Sequence, residues 1–422
     1  MRLHSLIVVA LVVCVSCSAW AADRYFCASI KFKDRRSSCT NRCIGSEHEV
    51  GRVDPCESGT DRFVAHIPLQ LWDRDPGGTD EYIGTFLVES RGVSCFVFPW
   101  EGERYQTVDN ETDPDPYVRL VDWYWEYGGQ RLYVMQHVVP GNMITPPSVS
   151  WQSSYYSNCP ENVLCWDPYE TLFVSSDPGS LENVLFNLGD TSIHAYYAFS
   201  SRIPEPFYMR YLEDANTCVF SSSSVIISEN SSLKPDVPTH EIGHLIHHQN
   251  IADKSFGSVD YSLSGNGHGL ISQEYDRAAT CEGWANYVAA RSWWNPDNSS
   301  AMPCAFGYEI EDQTPPPGLT TLAENRGLEL WAARGFWDLD DAAQDSGQSP
   351  CYEIIDTTNL STTDIVDIWS VFPSGADDRE AQEDGVNGTN LYDYYVNGAL
   401  SDYDVDGNVL INMQCQTLME LF

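Results

Sequence analysis

Lysine is nearly missing from this chain: among 422 residues there are four, Lys31, Lys33, Lys234 and Lys254. Lysine and arginine together number 23 against 61 acidic residues, a formal net charge of −38. A field of that sign repels polyanions, which excludes nucleic acid and anionic membrane surfaces as natural partners. It suits solubility in a salty medium, where screening relieves self-repulsion, or a set of calcium loops. Long apolar runs are also missing. After residue 22 there is no stretch of about 20 apolar residues, so no membrane span is expected. No internal repeat is visible, and histidine does not recur after His268.

At the start stand Met1-Arg2, an apolar run from Leu6 to Val15, and Ala19-Trp20-Ala21. A basic start, a short apolar core and a small-x-small site are the features of a secretory signal, with cleavage expected after Ala21. Removing Cys14 and Cys17 leaves twelve cysteines, an even number in a chain bound for an oxidising compartment. They are expected to be disulfide-bonded, with a connectivity that spacing does not reveal. The cluster Cys27, Cys39, Cys43 and Cys56 has no close Cys-x-x-Cys pair and reads as staples rather than as a thiolate metal site.

From about residue 60 to 140, short alternating apolar stretches are broken by turn signals. Phe63 to Trp72 runs into Asp73-Arg74-Asp75-Pro76-Gly77-Gly78, and Tyr82 to Val88, Ser94 to Phe98 and Tyr117 to Leu120 keep the rhythm. Period-two alternation of this kind predicts an antiparallel β-sandwich. Asp73, Asp75, Asp113 and Asp115 could gather at one loop end, yet as turn formers they need no ion. Val139-Pro140-Gly141-Asn142 and Pro146-Pro147 break regular structure and predict a linker. Beyond it, helices are predicted over Ile193 to Arg202, Pro238 to Asn250, Glu274 to Trp294 and Leu328 to Ala343, with a strand at Ser224 to Ser228.

His240-Glu241-Ile242-Gly243-His244 has the His-Glu-x-x-His spacing. On a helix, residues four apart lie one turn above each other, so both imidazoles reach one ion from one face. Glu241 is offset around the helix by about a third of a turn, placing it on the attacking water rather than on the metal, where it serves as general base. A catalytic zinc keeps a coordination position open and takes three protein ligands. The metzincin extension would put glycine at 247 and histidine at 250; the chain has His247 and Asn250. The third ligand is then sought on the next predicted helix, where Glu274 and Glu282 lie about two turns apart, so that only one can join the pair. Asn286 one turn beyond Glu282, and Gly283 giving the motif helix room to pack closely, favour Glu282.

The stretch Cys281-Glu282-Gly283-Trp284-Ala285-Asn286-Tyr287 resembles the Glu-Gly-Trp-Ser-Asp-Phe motif of the fungalysin-type gluzincin peptidases. The resemblance covers residues 220 to 290. It implies that Glu282 is the third ligand and that Asn286 takes the place of an aspartate that orients a zinc histidine. The family also uses a later histidine to stabilise the oxyanion; this chain has none, so a tyrosine is expected to serve, Tyr308 or Tyr275 by position. Residues 59–140 are similar to transthyretin-like sandwich modules through Leu71-Trp72-Asp73-Arg74-Asp75, Tyr82-Ile83-Gly84-Thr85 and Asp113-Pro114-Asp115-Pro116-Tyr117-Val118.

Asp402-Tyr403-Asp404-Val405-Asp406-Gly407-Asn408 repeats the first half of a calcium loop, with Asp402, Asp404, Asp406 and Asn408 as candidate ligands, but Met413 stands where the closing acid belongs. Asp338, Asp340 and Asp341 are read as an exposed helix face.

The expected architecture is α+β: signal peptide 1–21, cysteine-rich segment 22–58, antiparallel β-sandwich 59–140 and a zincin-like catalytic domain 148–422. The expected function is that of a secreted zinc endopeptidase acting on peptide or protein substrates, with Zn2+ and a candidate Ca2+ site. The alternative is a non-catalytic secreted binding or adhesion protein with a degenerate zincin fold, stabilised by calcium or zinc.

Overall fold

The computed structural model describes residues 22–33, 61–74, 79–88, 93–100, 114–127, 130–139, 143–145, 151–153, 164–165, 171–173, 177, 180–199, 202–203, 206–212, 218–221, 223–231, 234–250, 269–272, 274, 276–296, 304–306, 308–310, 328–340 and 361–370. The first strands are β1 (Ala22–Lys33), β2 (Asp61–Phe63), β3 (Pro68–Asp73), β4 (Glu81–Leu87), β5 (Val93–Trp100), β6 (Pro116–Leu120), β7 (Tyr124–Tyr127), β8 (Gln130–Val139) and β9 (Met143–Thr145). Then come β10 (Trp151–Gln152), β11 (Leu164–Cys165), β12 (Thr171–Phe173), β13 (Phe207–Leu212), β14 (Val219–Ser221), β15 (Ser224–Ser228), β16 (Cys304–Ala305) and β17 (Tyr308–Glu309). The α-helices are α1 (Leu181–Phe199), α2 (Asp236–Asn250), α3 (Asp276–Trp293), α4 (Glu329–Asp340) and α5 (Thr362–Ser370). The architecture is mixed α+β. The described residues fall into two compact units, one within 1–31, 63–122 and 150–174, the other within 32–62, 123–149 and 175–422.

In the first unit, β1 pairs antiparallel with β5 from Ala22↔Trp100 to Ser29↔Val93. Alternation sets which side is apolar: Phe96 and Phe98 are buried while Val97 between them is exposed. The Cys27–Cys95 disulfide joins directly opposed positions of this pair, with Cα atoms 4.0 Å apart. A second sheet has the order β10-β6-β3-β4, antiparallel throughout. Phe96 stacks on Phe26 in its own sheet and meets Phe86 of the other, ring centroids 5.0 Å apart. Outside the stretch expected to form the sandwich, β1 also takes β11 and β12 as parallel neighbours. Those short strands come from residues 164–173, beyond the stretch whose alternation signalled the sheet.

The second unit holds a mixed sheet of order β14-β15-β13-β8-β7, with β9 also on β8, parallel at β15-β13 and β13-β8 and antiparallel at its other pairings. Here β8 differs from its sequence reading. Instead of closing the first domain it lies parallel to β13, from Phe207↔Tyr133 to Leu212↔Val138, and Leu132, Tyr133 and Met135 are buried. Strands buried on both faces lose clean alternation, and a parallel partner some seventy positions onward leaves no local trace. The Pro140-Gly141-Asn142 break lies between β8 and β9, which pair at Val139↔Met143.

Helix α1 begins twelve residues before its predicted start at Ile193. Ser180 accepts from the Asn183 amide N–H at its N-terminus, and Asn183 donates through its side chain to the Asp177 carbonyl. The helix is buried on nearly all sides, so its sequence shows no single apolar stripe. Its polar residues return their hydrogen bonds to the backbone: Asn187 to the Asn183 carbonyl, Thr191 to that of Asn187, Ser192 to that of Leu188. Gly189 is required by a close approach, since a Cβ there would fall 2.1 Å from the Trp125 ring.

Helices α2, α3 and α4 pack in sequence, and α3 is central. Small residues make this possible: Ala278, Ala279, Ala285, Ala289 and Ala290 are all fully or almost fully buried. Gly283 faces α4, where an added Cβ would lie 2.3 Å from Ala332 Cβ and 2.7 Å from the Glu329 carbonyl oxygen. Its expected role, making room for the motif helix, belongs instead to Gly243, whose Cβ would lie 2.8 Å from Ala285 Cα. At the far end of α3, Asp340 accepts from Tyr287 Oη at 2.8 Å and from Arg291 Nε at 2.5 Å. It is a buried ion-pair partner rather than part of an exposed acidic face. Helix α5 is tied to α1 through Thr362 Oγ1 donating to the Ala198 carbonyl, and to Arg202 in the turn beyond α1 through an ion pair with Asp367.

Overpacking of that kind costs about 1–3 kcal/mol. Gly283→Ala should therefore lower the thermal midpoint measurably, while Gly269→Ala, whose nearest neighbour would be Ser272 Oγ at 3.7 Å, should leave it within experimental error. Equal midpoints for the two variants would contradict the α3–α4 contact.

Candidate metal centre

Helix α2 opens with Asp236 in its first turn, an acid where the helix dipole favours one. Pro238 sits where a missing N–H costs nothing. Thr239 returns its hydroxyl to the Pro235 and Asp236 carbonyls, and Asn250 closes the helix by donating to the Ile246 and Arg202 carbonyls. At mid-helix, Trp284 Nε1 of α3 donates to the Gly243 carbonyl at 3.0 Å. This locks α3 against the helix face that carries His240 and His244.

The result is a triangle of ligand atoms. His240 Nε2 and His244 Nε2 lie 3.1 Å apart, and Glu282 Oε2 is 3.1 Å from the first and 3.2 Å from the second. A tetrahedral ion with bonds of about 2.0–2.1 Å spaces its ligand atoms about 3.3–3.4 Å apart, so the triangle has the size such an ion needs. All three residues are buried, and together they could hold a metal ion; they are the one such group of three among the described residues. The N,N,O donor set is of the kind a catalytic zinc uses when it leaves a fourth position open.

Burial lowers the pKa of His240, but its hydrogen bond to Glu282 and the charges of Glu282, Glu241 and Glu329 outweigh that and raise it above the ordinary value. For Glu282, burial raises the pKa, and the His244 charge, the hydrogen bonds from both histidines and the His240 charge together pull it well below the carboxylate range. A divalent ion at the centre would take over from protons the task of neutralising this buried carboxylate.

Glu241 and His240 line a cleft of about 290 Å3 together with Val237, Gly269, Leu270, Asn286, Phe306 and Glu329. Phe306 is half-exposed, its ring edge-on to His240 at 5.3 Å between centroids. It sits in the left-handed region with φ 50°, which a bulky residue rarely adopts. Its N–H donates to Asp236 Oδ2 at 2.9 Å.

Asn286 makes the contact expected of it: its Oδ1 is 2.9 Å from His240 Nδ1. Its Nδ2 donates in turn to Glu329 Oε2 at 3.1 Å, and Glu329 is buried in the first turn of α4. Sequence reading missed Glu329, because an acid opening a helix is already explained by the helix dipole and carries no separate signal. Glu274, the rival third ligand, precedes α3 rather than lying on it. Its Oε1 accepts from the Gly269 N–H at 3.0 Å and the Ser272 hydroxyl at 2.8 Å, away from the histidines.

His247 approaches Cys281, Nε2 to Sγ 3.9 Å, both buried. Cys218 remains a thiol 3.6 Å from Ser228 Oγ, a departure from full pairing of the cysteines. Asp73 Oδ1 accepts the Asp115 N–H at 2.6 Å and Arg74 N–H donates to the Asp115 carbonyl, so these acids fix a loop. For Tyr308 the backbone alone is described, paired with Ala305. Tyr275, Asp75, Asp113, and the calcium candidates Asp402, Asp404, Asp406 and Asn408 lie outside the described residues.

In comparison with known proteins, the chain matches no family model and no curated protein.

Two measurements check this site. Glu282→Ala should lose bound metal, read as metal content after dialysis, while Glu274→Ala keeps it; the reverse pattern would exchange their roles. Asp236 supplies the second. Burial raises its carboxyl to about 6, against the smaller lowering effects of the Phe306 N–H and the His240 charge. An acid with a raised pKa binds its proton more tightly when folded, so stability is highest below the unfolded value of about 4 and falls as pH rises through 6. Asp236→Asn should therefore match the wild type near pH 4 and exceed it above pH 7 by about 1 kcal/mol in metal-free protein, solvent screening at this half-buried carboxyl reducing the gain. Denaturant melts at both pH values, with the gap absent or inverted, would refute the assignment.

Proposed function

We propose that the chain is a secreted zinc peptidase of gluzincin type, with His240, His244 and Glu282 holding Zn2+ and Glu241 acting as general base. The observation that carries the reading is the convergence of His240 Nε2, His244 Nε2 and Glu282 Oε2 beside a cleft lined by Glu241. When bound, zinc acidifies water to a pKa of about 7 and polarises the scissile carbonyl. Glu241 takes the proton from the attacking water and returns it to the leaving amine. Val237, Leu270 and Phe306 give the cleft apolar walls.

The second unit is read as a zincin-like domain, a reading supported by the site helix following β15 and by the third ligand's place on the next helix. Two sheets facing through Phe86 and Phe96 support a transthyretin-like sandwich for the first unit. The Cys27–Cys95 bridge accords with secretion. Among the described residues no helix is long and apolar enough to cross a membrane.

The test is hydrolysis of an unfolded protein substrate by full-length protein, with and without chelator. Glu241→Gln should keep zinc and lower turnover by roughly two to four orders of magnitude. Stoichiometric zinc with no cleavage by the wild type would favour the metal-stabilised binding protein instead.

A further inference from the structure

Asn286 poses a problem that the metal triangle leaves open. For His240 to offer Nε2 to a metal, its proton must sit on Nδ1, and that N–H needs an acceptor. An amide has an acceptor end and a donor end of nearly the same shape. Turned one way, Asn286 accepts from Nδ1–H and leaves Nε2 available as a ligand. Turned the other way, its NH2 donates to Nδ1 and favours the tautomer with the proton on Nε2, which cannot bind a metal. A carboxylate at position 286 would have no such ambiguity.

The structure supplies what breaks it. Glu329 Oε2 lies 3.1 Å from Asn286 Nδ2, and an ionised carboxylate only accepts. The NH2 end of Asn286 must then face Glu329, and the carbonyl end faces His240 Nδ1 at 2.9 Å. Both residues are almost fully buried, at 1% and 3% exposure, so water is a poor substitute for either bond. The chain also brings Glu329 there by construction. Gly283, one turn before Asn286 on α3, lets the first turn of α4 approach so closely that a Cβ would lie 2.7 Å from the Glu329 carbonyl.

We propose that Glu329 is a positioning residue of the metal centre: through Asn286 it selects the metal-binding tautomer of His240 and supplies the negative charge that the amide lacks. The inference rests on the metal-site reading of His240, His244 and Glu282.

The experiment measures Zn2+ affinity of the full chain by competition with a chromophoric chelator, in wild type, Glu329→Gln and the double variant N286D/E329Q. It is paired with 15N-histidine NMR of the metal-free proteins at pH 9 in a Glu282→Ala background, which removes the carboxylate that otherwise accepts from His240 Nε2, the His240 signal being assigned by its loss in His240→Ala. Glu329→Gln lets both amides turn together; zinc affinity should fall by about 10- to 100-fold, and the Nδ1–H tautomer of His240 should give way to a mixture. The double variant moves the carboxylate to position 286, with the new amide at 329 donating to it. Both affinity and the Nδ1–H tautomer should return to near wild-type values. Because it carries the same substitution at 329, its recovery separates tautomer selection from a folding defect there. Wild-type affinity in Glu329→Gln, or a double variant no better than the single one, would overturn the proposal. Failure of the wild type itself to bind zinc would instead overturn the metal-site reading on which it stands.

Discussion

The close contact of α2 with α3 is the constraint on which the site depends. Two histidines one turn apart define a direction but not a ligand set; the third donor must come from another helix at a distance set by backbone approach. Gly243 permits that approach where any side chain would meet Ala285, and the Trp284 indole bond to the Gly243 carbonyl holds it. A methyl group at this crossing would meet the Ala285 backbone and force the two helices apart. The alanines along α3 extend the same logic to its other neighbours, because a helix buried by three others needs short side chains on several faces.

Electrostatics inside the site run against the character of the whole chain. A net charge of −38 makes every added buried carboxylate costly, yet Glu241, Glu282 and Glu329 are all buried around one histidine. Buried charges persist when paired and hydrogen-bonded. Glu282 meets two imidazoles and Glu329 meets an amide, so the concentration of acid there is matched to a cation at the centre. Elsewhere three of the described buried acids have ordinary structural partners: Asp340 with Arg291 and Tyr287, Glu274 with a loop amide and a hydroxyl, Asp73 with the Asp115 N–H. This contrast separates the candidate site from acidic clusters that composition alone would make equally plausible.

Legibility followed the range of the interactions. The helix of His240 and His244 could be read because its signals are local: a proline in the first turn, a spacing of four, a preceding β-branched strand. The strands of the first unit were legible for the same reason, through alternation within five to eight residues. Helix α1 was seen only in its last third, since burial on all sides erases the stripe by which a helix is recognised. Strand β8 was placed with the wrong neighbours because parallel partners are set by tertiary pairing.

What the sequence by itself determined is the set of side chains able to do chemistry and the local geometry of one helix: two imidazoles on one face, a carboxylate beside them, and a glutamate with an amide one turn later on another helix. Tertiary structure alone decided how these are joined. It turned Glu274 into a loop acceptor, assigned Gly243 rather than Gly283 to the α2–α3 crossing, and put Glu329, 43 positions beyond Asn286, at hydrogen-bond distance from it. The physical reason is that a hydrogen bond requires atoms within about 3 Å, and where chain segments approach that closely depends on which helices can pack without a Cβ between them.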